Sequence, residues 1–330
     1  MNLLILGGTA WLGHTVATAA RAHGHQVTCL ARGESGDTPD GVQWVAGDRT
    51  SAAGYSALAG RTFDAVVDVS RQPGQARSAV DALAGAVGHW VFVSTGSVYA
   101  DQSEPGGDES AALLPPAQVD EVTPQEYGPG KVACEQIVAE ALGDRLLIGR
   151  SGLISGPGDH TGRAVSYAAR ARRRPDEPML VPGDLDQPVQ VVDVRDLSDF
   201  LLQAIDRSLT GTMDLVGPTT SLGEWVELSR DIGGHGGEVI AADPQWLLEQ
   251  AVPQFAGPGS LALWLSPEMR GMMGRRGDVA GAAGLSHRPS REMLCDTLTW
   301  ELQSGPDREV TGPGLTAERE RELIAALRHL

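Results

Sequence analysis

The chain has 330 residues, 41% of them hydrophobic and 21% charged, and carries a formal net charge of −17. That length buries a large core in one large or two interdependent domains, and the acidity disfavours nucleic acid and anionic lipid, which would each need a local basic patch. Cys29, Cys134 and Cys295 are too few and too far apart for a disulfide framework or a thiolate metal site, and the eight histidines lack HxxxH and HExxH spacings, so no metal is expected.

The opening "MNLLILGG" has no basic n-region, and no stretch approaches the ~18 apolar residues of a membrane helix, so a cytoplasmic protein without membrane partners is expected. Short apolar runs then alternate with helical patterns through residue 150, which predicts a parallel sheet covered on both faces. "NLLIL" (2–6) reads as a buried strand and "LGHTVATAARAHG" as a helix ended by Gly24. "QVTCLA" and "VQWVAG" are the next strands, and "SAAGYSALAG" (51–60) is a short helix. "DAVVDVS" (64–70) and "HWVFVST" (89–95) are strands separated by the helical "GQARSAVDALAGAVG".

Residues 101–124 form a loop rich in Gly, Pro and acids, long enough to be an active-site flap or a disordered excursion. A helix carrying Tyr127 and Lys131 follows, then the strand "RLLIGRS". "RARRR" (170–174), the one basic cluster, is either a solvated helix face or loop or a contact for a negatively charged substrate. "QPVQVVDVRDLSDFLLQAI" reads as a strand and helix by which residues 188–207 return to the sheet, and 221–285 is an irregular mixture rich in Gly and Pro. The final "TAERERELIAALRHL" is a helix with Leu323, Ile324, Leu327 and Leu330 on one face and Thr316 as N-cap.

"LILGGTAWLG" joins the first strand to the first helix through Gly7, Gly8 and Gly13. A tight glycine turn at a helix N-terminus presents free N–H groups to a pyrophosphate, so Gly7, Thr9, Ala10, Trp11, Leu12 and Gly13 are candidate cofactor contacts; the alternative is an ordinary glycine-rich turn. The expected fold class is α/β, a Rossmann-type doubly wound parallel sheet over 1–150 with 188–207 returning to it. A smaller, irregular substrate-binding region spans 151–187 and 208–302, and a tail and helix occupy 303–330.

A carboxylate after the second strand would hold the adenosine ribose of NAD, but the strand ends "CLARGES", with Ala31 and Arg32. Arg32 suits a 2′-phosphate, which favours NADP(H) over NAD(H), unless it is a plain surface arginine in a turn. Asp48 in "AGDRT" is placed either to accept from the adenine amino group or to sit at a helix N-terminus.

Counting gives 25 arginines and one lysine, Lys131, four residues after Tyr127. Residues four apart on a helix share a face, and an ammonium beside a phenol favours the phenolate, moving an unperturbed pKa near ~10 towards neutrality. Lysine also brings a rotatable ammonium able to donate to a ribose hydroxyl, which explains an ε-amino group in a chain that otherwise uses arginine.

The motifs "GGTAWLG", "FVSTGSVYA", "YGPGK" and "GRSGLISGPGD", in this order, resemble the extended short-chain dehydrogenase/reductase (SDR) superfamily in its NAD-dependent epimerase/dehydratase branch. The similarity runs to about Gly217 and returns in "AAGLSHRPSREMLCDTLTW". It implies Thr95 as a third catalytic group, its hydroxyl on the reacting substrate oxygen, while Tyr127 exchanges the proton; a strand-end cap is the plain alternative for Thr95. It also implies a homodimer through a helix pair. Ala10 replaces the middle glycine of the family loop, and Gly96 and Ser97 stand where sugar-nucleotide 4,6-dehydratases carry Asp and Glu, so that elimination lacks its acid and base. Leu153 replaces the substrate-contacting Asn of many sugar-nucleotide epimerases, which suggests a less polar or differently held substrate. "LALWLSPEMRGMM" (261–273) either lines the substrate pocket or packs in the core.

These readings favour an NADP(H)-linked reductase or dehydrogenase acting on a carbonyl or alcohol of a small metabolite, with an NAD-dependent epimerase that retains its cofactor as the alternative. A nucleotide-binding regulator is a further alternative, against which the complete Thr95, Tyr127 and Lys131 set argues.

Overall fold

The computed structural model of the chain describes residues 1–303 and 312–329. Leu3 and Ile5 face one side of the first strand and Leu4 and Leu6 the other, and all four are buried, the mark of a strand covered on both faces. This strand, β1 (Asn2–Leu6), sits inside a seven-stranded parallel sheet with β2 (Gln26–Ala31), β3 (Gln43–Ala46), β4 (Phe63–Asp68), β5 (Val87–Thr95), β6 (Leu146–Ser151) and, labelled in chain order, β10 (Gly211–Leu215); the spatial order is β10-β6-β5-β4-β1-β2-β3. The helices α1 (Trp11–Ala22) and α5 (Val194–Asp206) close one face around Val16, Leu197 and Leu201. On the other, α2 (Pro73–Leu83) and α3 (Tyr127–Leu142) pack Ala76, Val80, Cys134 and Val138 against Val66, Trp90 and Phe92. Residues 51–60 form a 3₁₀ turn, Ala52–Leu58, that buries Tyr55 and Leu58.

Beyond the sheet, β7 (Leu153–Ser155), β9 (Pro188–Asp193) and β11 (Thr219–Ser221) make a small three-stranded sheet, and β8 (Met179–Pro182) pairs with β12 (Val239–Ala242). Between them lie α4 (Ser166–Arg173), α6 (Leu222–Gly233) and α7 (Pro244–Glu249). The chain ends in α8 (Asp278–Ala283), α9 (Ser290–Gln303) and α10 (Ala317–Leu327).

Two expectations about the returning chain change. Of residues 188–207 the helix packs on the main sheet, but the strand β9 does not join it, pairing with β7 and β11 instead. The main sheet is completed instead by β10, from the span expected to bind substrate, and its buried Asp214 hides it from a search for apolar runs. The span 221–285 is also more regular than its composition suggests. There α6 opens with a capping box, Ser221 Oγ accepting from the Glu224 N–H at 3.1 Å while Glu224 accepts from the Ser221 N–H at 2.9 Å.

The loop 101–124 is tied to the body of the protein by backbone hydrogen bonds. Ala100 N–H donates to Ala112 at 2.9 Å, Leu114 N–H to Val98 at 2.8 Å, and Gly106 N–H to Gly274 at 2.7 Å. Beneath it lies a buried polar network. Arg275 Nε reaches Asp214 at 2.8 Å with its guanidinium over the Tyr99 ring, and the Tyr99 hydroxyl donates to Asp214 at 2.6 Å. Arg150 joins Tyr99 to Glu135, and Glu135 accepts from Ser94, the neighbour of Thr95.

Arg172 is exposed on the solvated face of α4, but the other three arginines of the cluster fit neither expected role. Arg170 and Arg174 converge on Glu320 of α10 at 3.0 and 3.1 Å, and Arg173 reaches Glu301 of α9 at 3.4 Å, so the cluster is an internal clasp between α4 and the C-terminal helices. Thr316 caps α10 by accepting from the Arg319 N–H, with Leu323 and Ile324 buried and Leu327 partly so; Leu330 lies outside the described residues. No helix among the described residues is long and apolar enough to cross a membrane, and none of their His, Cys, Asp and Glu side chains group as a metal site.

Candidate active site

The C-terminal ends of β1, β2, β4, β5 and β6 open into one cleft of about 1270 Å³, the position where open α/β sheets bind ligands. Ten of the eleven expected residues line it: Gly7, Thr9, Ala10, Trp11, Leu12, Arg32, Asp48, Thr95, Tyr127 and Lys131. Gly13 lies behind the turn, where a Cβ would stand 2.3 Å from the Gly7 carbonyl oxygen; its lack of a side chain lets α1 close onto the turn.

Gly7 has φ +96, a region open mainly to glycine, and a Cβ there would meet Val69 at 2.7 Å. Ala10 needs no such freedom. As N-cap of α1 it has φ −85 and ψ 156, so the absence of a middle glycine costs no backbone strain. The first N–H groups of α1 lack intrahelical acceptors and lie at the positive end of its dipole, so this cradle fits a dinucleotide pyrophosphate. Trp11 spans the cleft, its indole N–H donating to Pro157 at 2.9 Å and its ring edge-on to His160.

Arg32 is 56% exposed and pairs with Glu34 at 3.0 Å. Asp48 is exposed, and hydrogen bonds from Thr50 hold its carboxyl below the ordinary carboxylate value. Arg49, which sequence reasoning passed over, reaches the buried Asp68 at 3.3 Å and Ser70 Oγ at 2.6 Å beside the glycine turn.

Thr95 ends β5, capping the following turn by accepting from the Ser97 N–H at 3.2 Å, and it lines the cleft with Tyr127. Tyr127 begins α3, where Pro129 falls in the first turn and disturbs no helical hydrogen bond. Lys131 is 2% exposed, donating to the Ser70 and Val93 carbonyls at 2.7 and 2.6 Å and lying 4.1 Å over the Phe92 ring. Burial lowers its pKa to about 8, with the carboxylates of Asp68 and Glu135 acting the other way. An ammonium has three donors, so two fixed bonds leave one for the cleft.

The electrostatics depart from the sequence reading in one respect. Burial raises the Tyr127 pKa, whereas the Thr95 hydrogen bond and the charges of Arg71 and Arg163 lower it. The ammonium of Lys131 is turned to backbone carbonyls, and the cations with the largest pull on the phenol are these two arginines, both in the cleft. Neither carries a local sequence signal, because each sits in a loop and meets Tyr127 only through the fold.

Leu153, Phe255, Met272 and Met273 give the cleft an apolar end. The stretch 261–273 divides accordingly: Leu261 to Leu265 are buried in the core, and only its last two methionines reach the cleft. The loop 101–124 does not line the cleft.

No curated protein matches the chain. Among solved structures it resembles UDP-glucose 4-epimerase from Thermus thermophilus in complex with NAD (TM-score 0.62, 18% identity, covering 92% of this chain and 100% of that one). It likewise resembles UDP-glucose 4-epimerase from Thermotoga maritima with UDP-glucose (0.68, 16%, 92% and 99%) and UDP-N-acetylglucosamine 4-epimerase from Bacillus cereus (0.66, 15%, 93% and 98%). At these identities the likeness shows the fold alone. The family model for the NAD dependent epimerase/dehydratase family matches residues 3–215, well over half of the chain. The chain therefore belongs to the NAD dependent epimerase/dehydratase family, enzymes of the extended SDR superfamily that bind a nicotinamide cofactor.

Proposed function

We propose that the protein is an NADP(H)-linked reductase or dehydrogenase interconverting a carbonyl and an alcohol on a small metabolite. The observation that carries this reading is the convergence of Thr95, Tyr127 and Lys131 in the cleft that also holds the glycine turn. The α1 N-terminus and Gly7 would hold the pyrophosphate, Lys131 the nicotinamide ribose, and Arg32 the 2′-phosphate. The bound nicotinamide would supply hydride donation or acceptance.

The chain's own groups handle the proton. Tyr127 gives it to, or takes it from, the substrate oxygen, while the Thr95 hydroxyl holds that oxygen by a hydrogen bond. Arg71 and Arg163 stabilise the phenolate when the proton is away, replacing hydration lost on burial. Gly96 and Ser97 place no carboxyl group directly after Thr95, which supports redox chemistry over elimination.

The pairing of Arg32 with Glu34 is compatible with a phosphate ligand. An exposed ion pair contributes only ~0–1 kcal/mol, less than a charge-assisted bond to a phosphate. The same pairing sustains a second reading, an epimerase that retains NAD, because Glu34 neutralises the charge that would select NADP; the names of the structural neighbours point the same way.

The test is to identify any nucleotide released on denaturing the purified protein, then to titrate NADPH and NADH by nicotinamide fluorescence. Exchangeable NADPH bound more tightly than NADH supports the reductase, and retained NAD transfers the assignment to the epimerase. Tyr127→Phe is expected to leave cofactor affinity within about threefold and lower turnover by ~10²–10⁴-fold. Unchanged turnover refutes the proton role of Tyr127.

A further inference from the structure

The substrate end of the cleft holds a cation with no ion-pair partner among the described residues, although the Asp159 carboxylate acts on it through space. Arg163 lines the cleft with Tyr127, Leu153, Phe255 and Met272. Its one hydrogen bond among the described residues runs from Nε to Thr161 Oγ1 at 3.3 Å, and that hydroxyl is itself turned to Asp159. It forms no ion pair among the described residues, and both terminal nitrogens lack a protein acceptor there. Carboxylates are not scarce, since 43 acids face 26 bases, and Arg150, Arg170, Arg195, Arg275 and Arg288 all reach one.

The surroundings favour an anion from outside. The guanidinium of Arg163 lies 4.9 Å over the Phe255 ring, and Phe255 has φ +68, unfavourable for a bulky residue, so the backbone carries strain where it presents that ring to the cleft. A half-buried guanidinium against an aromatic face, with free paired N–H donors, suits bidentate binding of a carboxylate or phosphate. The pull of Arg163 on the Tyr127 phenol places it beside the reacting centre rather than with Arg32 at the end of β2.

We propose that Arg163 receives an anionic group of the substrate, which is therefore a carbonyl or alcohol compound bearing a carboxylate or phosphate, with its apolar remainder against Leu153, Phe255, Met272 and Met273. This rests on the function proposed above and narrows its substrate class.

The experiment compares cofactor-saturated wild type, Arg163→Gln and Arg163→Lys on matched substrates, following nicotinamide absorbance. One series sets 2-oxo acids against their methyl esters, and the other sets dihydroxyacetone phosphate against dihydroxyacetone, which separates carboxylate from phosphate. The anionic members of one series are expected to be used, and Arg163→Gln is expected to lower their kcat/KM about 10- to 100-fold more than that of their neutral partners, whose smaller loss reflects the phenolate, with partial restoration in Arg163→Lys. In parallel, malonate or inorganic phosphate is expected to raise the melting temperature of the cofactor-saturated wild type and not of Arg163→Gln, a readout independent of turnover. Neutral members used equally well, equal losses on both members of a pair, or no stabilisation by either anion overturns the proposal. So does a matching loss of cofactor affinity in Arg163→Gln, which would assign the residue to the cofactor. A wild type that binds no nicotinamide cofactor refutes the proposed function itself.

Discussion

Replacing Lys131 with Met should change how stability depends on pH. Burial lowers the Lys131 pKa from 10.5 to about 8, whereas a lysine in the unfolded chain titrates near ~10.4. Between about pH 8 and 10.5 the unfolded chain therefore holds one proton more than the folded chain. Stability rises with pH wherever the unfolded state binds more protons, so wild type gains through this window. The interval from 8 to 10.5, at ~1.4 kcal/mol per tenfold change, amounts to ~3 kcal/mol. Met lacks the titration. Its own cost, which includes leaving the Ser70 and Val93 carbonyls without their donor, does not vary with this proton. Urea denaturation followed by tryptophan fluorescence, in steps from about pH 7 to 10.5, should show the stability difference moving by ~3 kcal/mol in favour of wild type. Parallel curves, or a difference that moves the other way, would refute the assignment of a desolvated ammonium at this position.

Glu320→Gln removes the carboxylate on which two arginines converge, and breaking a buried pair costs ~3–5 kcal/mol. For a chain of this size the unfolding entropy of ~0.7 kcal/mol per degree turns that into a melting-temperature drop of ~4–7 °C, against no shift for the exposed Glu318→Gln; equal shifts would count against the clasp. Gly13→Ala places a Cβ 2.3 Å from the Gly7 carbonyl oxygen, so the turn must open. Nicotinamide cofactor affinity should fall at least about tenfold with far-ultraviolet circular dichroism unchanged, and unaltered affinity would argue against this turn as the cofactor cradle.

The sheet was legible because the unbroken apolar run at 3–6 marked burial on both faces, and the Tyr127 and Lys131 pair stood out because one lysine among 25 arginines needs a chemical reason. Periodicity reports which face of an element is buried and not what covers it. For that reason β9 went to the wrong sheet, and the arginines of α4 gave no sign of Glu320, which lies about 150 residues further on. β10 was missed because Asp214 is buried by pairing with Arg275 and not by apolarity. The start of α6 was readable, since Ser221 and Glu224 have capping-box spacing, but the glycines and prolines around them masked it. Arg71 and Arg163 belong to no local pattern, and their effect on Tyr127 exists only once separate loops meet.

The Arg275–Asp214 pair also constrains motion. Arg275 lies 61 residues beyond Asp214, and the two are 5% and 0% exposed. Swinging the 267–276 segment away from the sheet edge would separate two buried charges, at ~3–5 kcal/mol, and strip Asp108 and Gln190 of bonds to the same arginine. A hinge between the sheet and this segment is therefore locked. Ligands must come and go through local rearrangement, and the exposed turn at 32–37 is one part of the cleft wall not packed into the core.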